Sequence, residues 1–373
     1  MRVLFATLEN HGYATMASYL ARRLDEAGHQ VAVATGHRAR WLFTGGAQIV
    51  PAGAGDVKTF VTQEWADVIG NALQYKHVEL ALRSFPADLV VTSELTFGAA
   101  VAAARFGLPV VTMGSVVWRY PTAQESGSPL GHRLERLRAY HLTEAQHIYD
   151  LVRAGLGETS HDNRPYRFLG DRYLLRAGDR LRPELADDVD ERVRCAGAMM
   201  PPPVGTPGRT VAGGRSRVLV TLARTFGEFD PWHDMVDPLV AGDRFALDIL
   251  PGRAEAVGCP GATHGPETGI TVLPALAPDG FFDYRAAVLT GTSWQTVCAL
   301  RAGLPVVFHP AGAEQPVVAL DLHRRGLGRV VERRPVHPAD LLATIDLRTE
   351  RCVGVSDELR VDTDPEVITG GWS

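Results

Sequence analysis

Residues 286–315 read AAVLTGTSWQTVCALRAGLPVVFHPAGAEQ, and the order of residue types in this stretch decides the fold. The apolar run ending at Leu289 has the length and hydrophobicity of a strand buried on both faces. Thr290, Gly291, Thr292 and Ser293 then put a glycine, three hydroxyls and backbone N–H groups where a helix begins. Such a turn suits an anion such as a pyrophosphate. An ordinary helix cap uses the same residues with no ligand at all. A second apolar run, Leu304 to Phe308, delivers Glu314 and Gln315 to the same rim. Strand, loop, helix, strand, loop is the repeat of a parallel α/β sheet, which binds ligands beyond the carboxyl ends of its strands.

The chain opens on the same pattern. Arg2 to Thr7 reads as a strand, residues 8–13 as a loop, residues 14–27 as a helix with Met16, Leu20 and Leu24 on one face, and Val31 to Ala34 as the next strand. The loop carrying Asn10, His11, Gly12 and Tyr13 therefore faces a cleft. Val193 to Gly197 reads as the last strand of this half, and MPPPVGTPG at 200–208 is a linker by composition. Ser216 to Leu222 starts a second series of strands. The expected organisation is residues 1–200 as one Rossmann-like domain, 201–215 as linker and 216–373 as a second domain with a short, atypical tail.

The register AVLTGTSWQTVCALRAGLPVVFHPAGAEQPVVA resembles the nucleotide-sugar-binding segment of GT-B glycosyltransferases, especially bacterial enzymes that decorate natural products. In that family the loop usually reads His-Gly-Gly, a small residue and Gly-Thr, with an Asp-Gln or Glu-Gln pair further on. Gly291, Thr296, Ala299, Leu300, Gly303, Pro305, Pro310, Glu314 and Gln315 stand where this pattern expects them. Thr290 takes the place of the diphosphate-contacting histidine, and Thr292 that of the second glycine. At the amino terminus, Leu20-Ala21 and Ala27-Gly28-His29 align Gly12 with the family glycine and put Tyr13 on the catalytic histidine. The resemblance implies two doubly wound parallel-sheet domains facing each other across a cleft. The first would take the acceptor and the second the nucleotide sugar.

What the resemblance implies for single residues is less uniform. A near-neutral histidine can accept a proton from an acceptor hydroxyl, whereas a phenol is a donor until about pH 10. Tyr13 is thus a poor base, and His11 is either its substitute or a polar loop residue. Glu94 follows the strand at Leu89 to Val91, where the family acid orients the base; a helix N-terminal acid is the other reading. Arg224 either offers a forked charge to the diphosphate or is a surface arginine. Glu314 and Gln315 would read sugar hydroxyls. The family's base-recognition motif is replaced by Ala275-Leu276-Ala277-Pro278, so the donor is expected to be a UDP- or dTDP-sugar without a choice between them. Trp118 and Tyr120 line an acceptor pocket or belong to the core.

Composition bounds the partners. A net charge of −5 gives no footprint for nucleic acid. Cys195, Cys259, Cys298 and Cys352 lack metal-ligand or disulfide spacing and read as buried thiols. No apolar run reaches membrane-spanning length, and no leader pattern precedes the first strand, so a cytoplasmic protein without membrane, metal or cofactor is expected. Residues 122–185 read as charged helix without chemistry, and residues 348–373 as a polar, compressed or partly disordered tail. Two functions fit. One is sugar transfer to a hydrophobic small-molecule acceptor. The other is a GT-B homologue that has given up transfer and serves as an auxiliary or binding protein, with a protein partner.

Overall fold

The computed structural model describes residues 1–50, 60, 66–114, 128–158, 166–182, 191–202, 211–212, 215–222, 231–241, 244–251, 269–273, 276–310, 315–332, 334–346 and 350–372; for His11, Val211, Ala212, Pro231, Asp346, Glu350 and Arg351 it describes the backbone alone. The first sheet is built from β1 (Arg2–Thr7), β2 (Gln30–Thr35), β3 (Gln48–Ile49), β4 (Leu89–Ser93), β5 (Val110–Gly114), β6 (Arg172–Leu175) and β7 (Val193–Cys195), in the order β3-β2-β1-β4-β5-β6-β7. The second comprises β8 (Val211–Ala212), β9 (Arg215–Leu222), β10 (Phe245–Pro251), β11 (Ile270–Val272), β12 (Ala286–Leu289), β13 (Val306–Phe308) and β14 (Arg329–Val330). Its order is β11-β10-β9-β12-β13-β14, all parallel, with β8 antiparallel on β9. The helices are α1 (His11–Glu26), α2 (Val68–Ser84), α3 (Phe97–Arg105), α4 (Pro129–Gly155), α5 (Pro231–Met235), α6 (Asp237–Val240), α7 (Ser293–Arg301), α8 (Gln315–Arg324), α9 (Pro338–Asp346), α10 (Glu350–Arg360) and α11 (Glu366–Thr369).

Side chains alternate across each sheet, as the two-residue period of a strand requires. Val3 and Phe5 enter the core on one face of β1, and Leu4 and Ala6 the core on the other. In β9, Val218 and Val220 divide from Leu219 in the same way. The core that holds Leu4 also holds Leu219, Ala287 and Val306, so one apolar mass runs through both sheets. Each sheet reverses strand order between a central pair, β1 and β4 in the first and β9 and β12 in the second. These are the switch points beyond which doubly wound sheets bind ligands.

Three expectations are corrected. Helix α1 begins at His11, not at residue 14, because Asn10 caps it: Tyr13 N donates to Asn10 Oδ1 at 2.8 Å. Within the charged region 122–185, β6 is a buried strand paired with β5 and β7. Residues 350–372 of the tail pack onto the rest of the chain. After α10, Tyr19 donates its hydroxyl to Asp362, Thr363 Oγ1 donates to Ala196 O at 2.8 Å, and Arg172 donates to Val367 O at 3.1 Å and Ile368 O at 2.9 Å. Ile368 is fully buried against the first sheet. The proline-rich stretch falls largely outside the described residues, as do Trp118 and Tyr120. Cys298 and Cys352 are buried thiols and Cys195 is half-buried. Among the described residues no helix is long and apolar enough to cross a membrane.

The halves are tied by ion pairs between α4 and the second sheet's layer. Arg138 Nη2 donates to Asp321 Oδ1 at 2.9 Å with both side chains essentially out of solvent, and Arg325 Nε reaches Asp321 Oδ2 at 2.7 Å. Arg133 makes a forked pair with Glu332 at 2.7 and 2.8 Å nearer the surface. Removing one member of a buried pair leaves an uncompensated charge, whereas a solvated pair adds little. Asp321→Asn is therefore expected to lower stability by roughly 3–5 kcal/mol, and Arg133→Ala by less than about 1 kcal/mol. Urea unfolding of the two variants checks the order.

Candidate active site

The amino-terminal half of the site forms where β1 and β4 part. Leu8 N donates to Ser93 Oγ at 3.0 Å, which ties the two strand ends together. Glu94 follows, with 2% of its surface exposed. Tyr13, on the first turn of α1, donates its hydroxyl to Glu94 Oε1 at 2.6 Å, and Tyr173 from β6 donates to Oε2 at 2.8 Å. Hydrogen bonds to a carboxylate of this kind are short and strong. Leu95 holds the left-handed conformation, φ 70°, which is uncommon for a residue with a side chain and re-aims the chain between Glu94 and α3. Gly114 makes the second phenol contact possible. A Cβ there would lie 1.6 Å from the Tyr173 hydroxyl.

The carboxyl-terminal half forms between β9 and β12. Gly291 has φ 95°, and a Cβ on it would sit 3.1 Å from Gln315 O, so the turn and the start of α8 lie side by side. Gln315 is buried. Thr292 is the N-cap residue of α7 but makes no side-chain cap bond; its hydroxyl donates instead to Gln295 Oε1 at 2.6 Å. Thr221, near the end of β9, donates to the same oxygen at 3.0 Å. Gln295 thus braces this switch point as Ser93 braces the other. Thr290 is fully buried, and its hydroxyl has no partner among the described residues. Ser293 is the first residue of α7. Glu314, Arg224 and the side chain of His11 lie outside the described residues.

The two halves meet at Trp294. Its Cβ would be 3.5 Å from a Cβ on Gly12, and its ring centroid lies 4.6 Å from the guanidinium carbon of Arg176. Tyr173, Arg176, Trp294 and Gln295 were not singled out by their sequence. Trp294 and Gln295 carried a signal, because they stand where the family loop has Gly-Thr. Of the other two, Tyr173 lies in β6 and Arg176 directly follows it, in a charged region. Cavities of about 530 Å³ lie elsewhere, one by Gly107, Pro109 and Gly170 at the starts of β5 and β6, and one against α4. The first lies at the wrong strand ends for a switch-point ligand, and no strand residue lines the second. Among the described residues, no group of three or more His, Cys, Asp or Glu could hold a metal.

Neither a family model nor a curated protein matches the sequence. Solved structures do match. The glycotransferase of kitacinnamycin is 20% identical with a TM-score of 0.71, covering 96% of this chain and 95% of that one. The glycosyltransferase SnogD from Streptomyces nogalater is 20% identical with a TM-score of 0.68, covering 99% and 97%. The glycosyltransferase VinC, in complex with dTDP, is 18% identical with a TM-score of 0.61, covering 100% and 98%. The chain has the GT-B fold. Its two switch points thus stand as the two halves of a GT-B architecture, with Tyr13 and Glu94 on one side and the Gly291 turn on the other.

The glycine requirement at 114 is directly testable. Gly114→Ala is expected to force the Tyr173 ring off Glu94 and to lower stability by about 1–3 kcal/mol, as overpacking does. In a Tyr173→Ala background the same change is expected to have much less effect, so the two substitutions will be non-additive. Thermal unfolding of the four proteins measures the coupling; additive losses would mean that the ring and the glycine do not constrain each other.

Proposed function

We propose that this chain transfers a sugar from a UDP- or dTDP-sugar to a hydrophobic small molecule of the natural-product type. The observation that carries the reading is the meeting of the two switch points. A carboxylate-bound phenol and the start of α1 stand on one side, and on the other a glycine turn, the start of α7 and a buried hydroxyl with no partner among the described residues. The Gly291 turn and α7 offer backbone N–H groups and a helix dipole to a diphosphate. In this reading Thr290, Thr292 and Ser293 hold the diphosphate with help from Arg224, and Glu314 and Gln315 take the sugar hydroxyls. Residues 1–200 supply the acceptor side and 216–373 the donor side, with the change of domain in 201–215. The last strand of the first sheet ends at Cys195 and the second sheet begins at Val211, which supports that division.

Proton removal is assigned to the Tyr13–Glu94 pair or to His11. Because Tyr13 already donates to Glu94, its oxygen can accept the acceptor proton as its own moves to the carboxylate. One observation favours the second reading, an auxiliary or binding protein that has given up transfer. The Trp294 ring stands in the junction at a position where the related loop has glycine.

Assays with several nucleotide sugars and a panel of hydrophobic hydroxylated acceptors, run on wild type, Glu94→Gln and His11→Ala, test both readings. Loss of the catalytic base is expected to lower turnover roughly hundredfold to ten-thousandfold while dTDP binding, followed by calorimetry, stays unchanged. Whichever substitution produces that loss identifies the base. Absence of turnover together with absence of UDP and dTDP binding in wild type removes the transferase and leaves the auxiliary protein.

A further inference from the structure

Arg176, directly after β6, is a cation buried at the junction, with 1% of its surface exposed. Its Nε donates to Ala198 O at 2.9 Å, its guanidinium lies on the face of Trp294, and its Nη2 has no partner among the described residues. Burial lowers its pKa to about 10, so it remains charged at neutral pH. Among the described residues, the groups that act on it are the Cys298 thiol, the Tyr13 phenol and the like-charged Arg301. None is a carboxylate, and burial pushes the Cys298 thiol up to about 12, which keeps it neutral. A guanidinium withdrawn from water without a counter-charge is strongly unfavourable. Its forked donors match an oxyanion.

The surroundings narrow the choice of anion. Helices α1 and α7 both begin at this junction without an acidic residue in the first turn, so their partial positive ends add to the field. Arg176 and Tyr13 both belong to the first sheet's layer, the side read above as taking the acceptor. Trp294, itself only half-buried, supplies a flat apolar wall against the charge and covers it from solvent. We propose that Arg176 anchors the carboxylate of an aromatic acid, which lies on the Trp294 face as the acceptor. The proposal rests on the transferase reading for the word acceptor, but not for the binding itself.

Calorimetry with 4-hydroxybenzoate, its methyl ester, dTDP and inorganic pyrophosphate, on wild type, Arg176→Lys and Arg176→Gln, tests it. A hydrogen-bonded charge contact predicts that wild type binds the acid at least about tenfold more tightly than the ester. Arg176→Gln abolishes that preference, Arg176→Lys keeps part of it, and dTDP affinity is unchanged. Equal affinity of wild type for acid and ester overturns the proposal, and this arm decides alone if Arg176→Gln does not fold. Loss of dTDP and pyrophosphate binding in Arg176→Gln, with the acid unaffected, gives the charge to the donor diphosphate and overturns the acceptor assignment. Acid binding that depends on Arg176 in a protein that transfers no sugar upholds the anion site and removes the transferase reading instead.

Discussion

Asp321 has no exposed surface and accepts hydrogen bonds from Arg138 of the opposite layer, from Arg324 of its own helix and from Arg325 just beyond it. This carboxylate joins the layers of the two sheets through an ion pair that is buried on both sides. In a parallel sheet every functional loop leaves from the same strand ends, so two such sheets make a site only if those ends are turned toward each other. The apolar core shared by both sheets supplies attraction without direction. A charge removed from water is satisfied only by partners at fixed distances, and so it sets the angle. On the opposite side, Arg301 donates to Pro201 O and accepts from Ser356, which fastens the chain leaving the first sheet to α10.

At the junction so formed, the chemistry differs from an imidazole-based site in a defined way. Glu94 accepts from two phenols that approach its two oxygens separately. A carboxylate bridging two hydroxyls is held in one orientation, and the phenol on α1 is held with it. The backbone contributes on both sides, through the left-handed Leu95 before α3 and through Gly114, whose missing side chain leaves room for the Tyr173 ring. Local strain of this kind persists where surrounding contacts over-determine it, which is the usual setting of a working site.

The second half of the junction is built from hydroxyls and an amide. Gln295 draws Thr221 and Thr292 onto one oxygen and so fixes the spacing between the end of β9 and the start of α7. Among the described residues, the buried Thr290 hydroxyl and the Arg176 Nη2 have no hydrogen-bond partner. Buried polar atoms are nearly always satisfied in folded proteins. Several other buried polar atoms of the described residues also lack a partner, and these two are the ones that lie either side of Trp294.

How much of this was legible in the chain depends on how local its cause is. The strands flanking 290–293, the turn between them and the helix after it could be read from residues 286–315, because a strand buried on both faces must be continuously apolar and a tight turn needs a residue free to take positive φ. The place of Tyr13 beside the first strand was legible for the same reason. Its membership of the helix was signalled only by Asn10, a cap that a glycine two residues later obscured. Strand β6 was not legible: four residues in an arginine-rich region carry no period of their own, and Tyr173 reaches Glu94 only because β5 and β7 hold the strand in place. The tail was missed for an equivalent reason. Its order comes from Tyr19, Arg172 and Ala196, far away in the chain, so nothing within residues 361–372 announces it. Local sequence determined which segments could be strands, turns and helices. Tertiary structure alone decided which polar side chains would be buried together, because a buried charge or hydroxyl is satisfied by whatever the fold brings within about 3 Å and not by its neighbours in sequence.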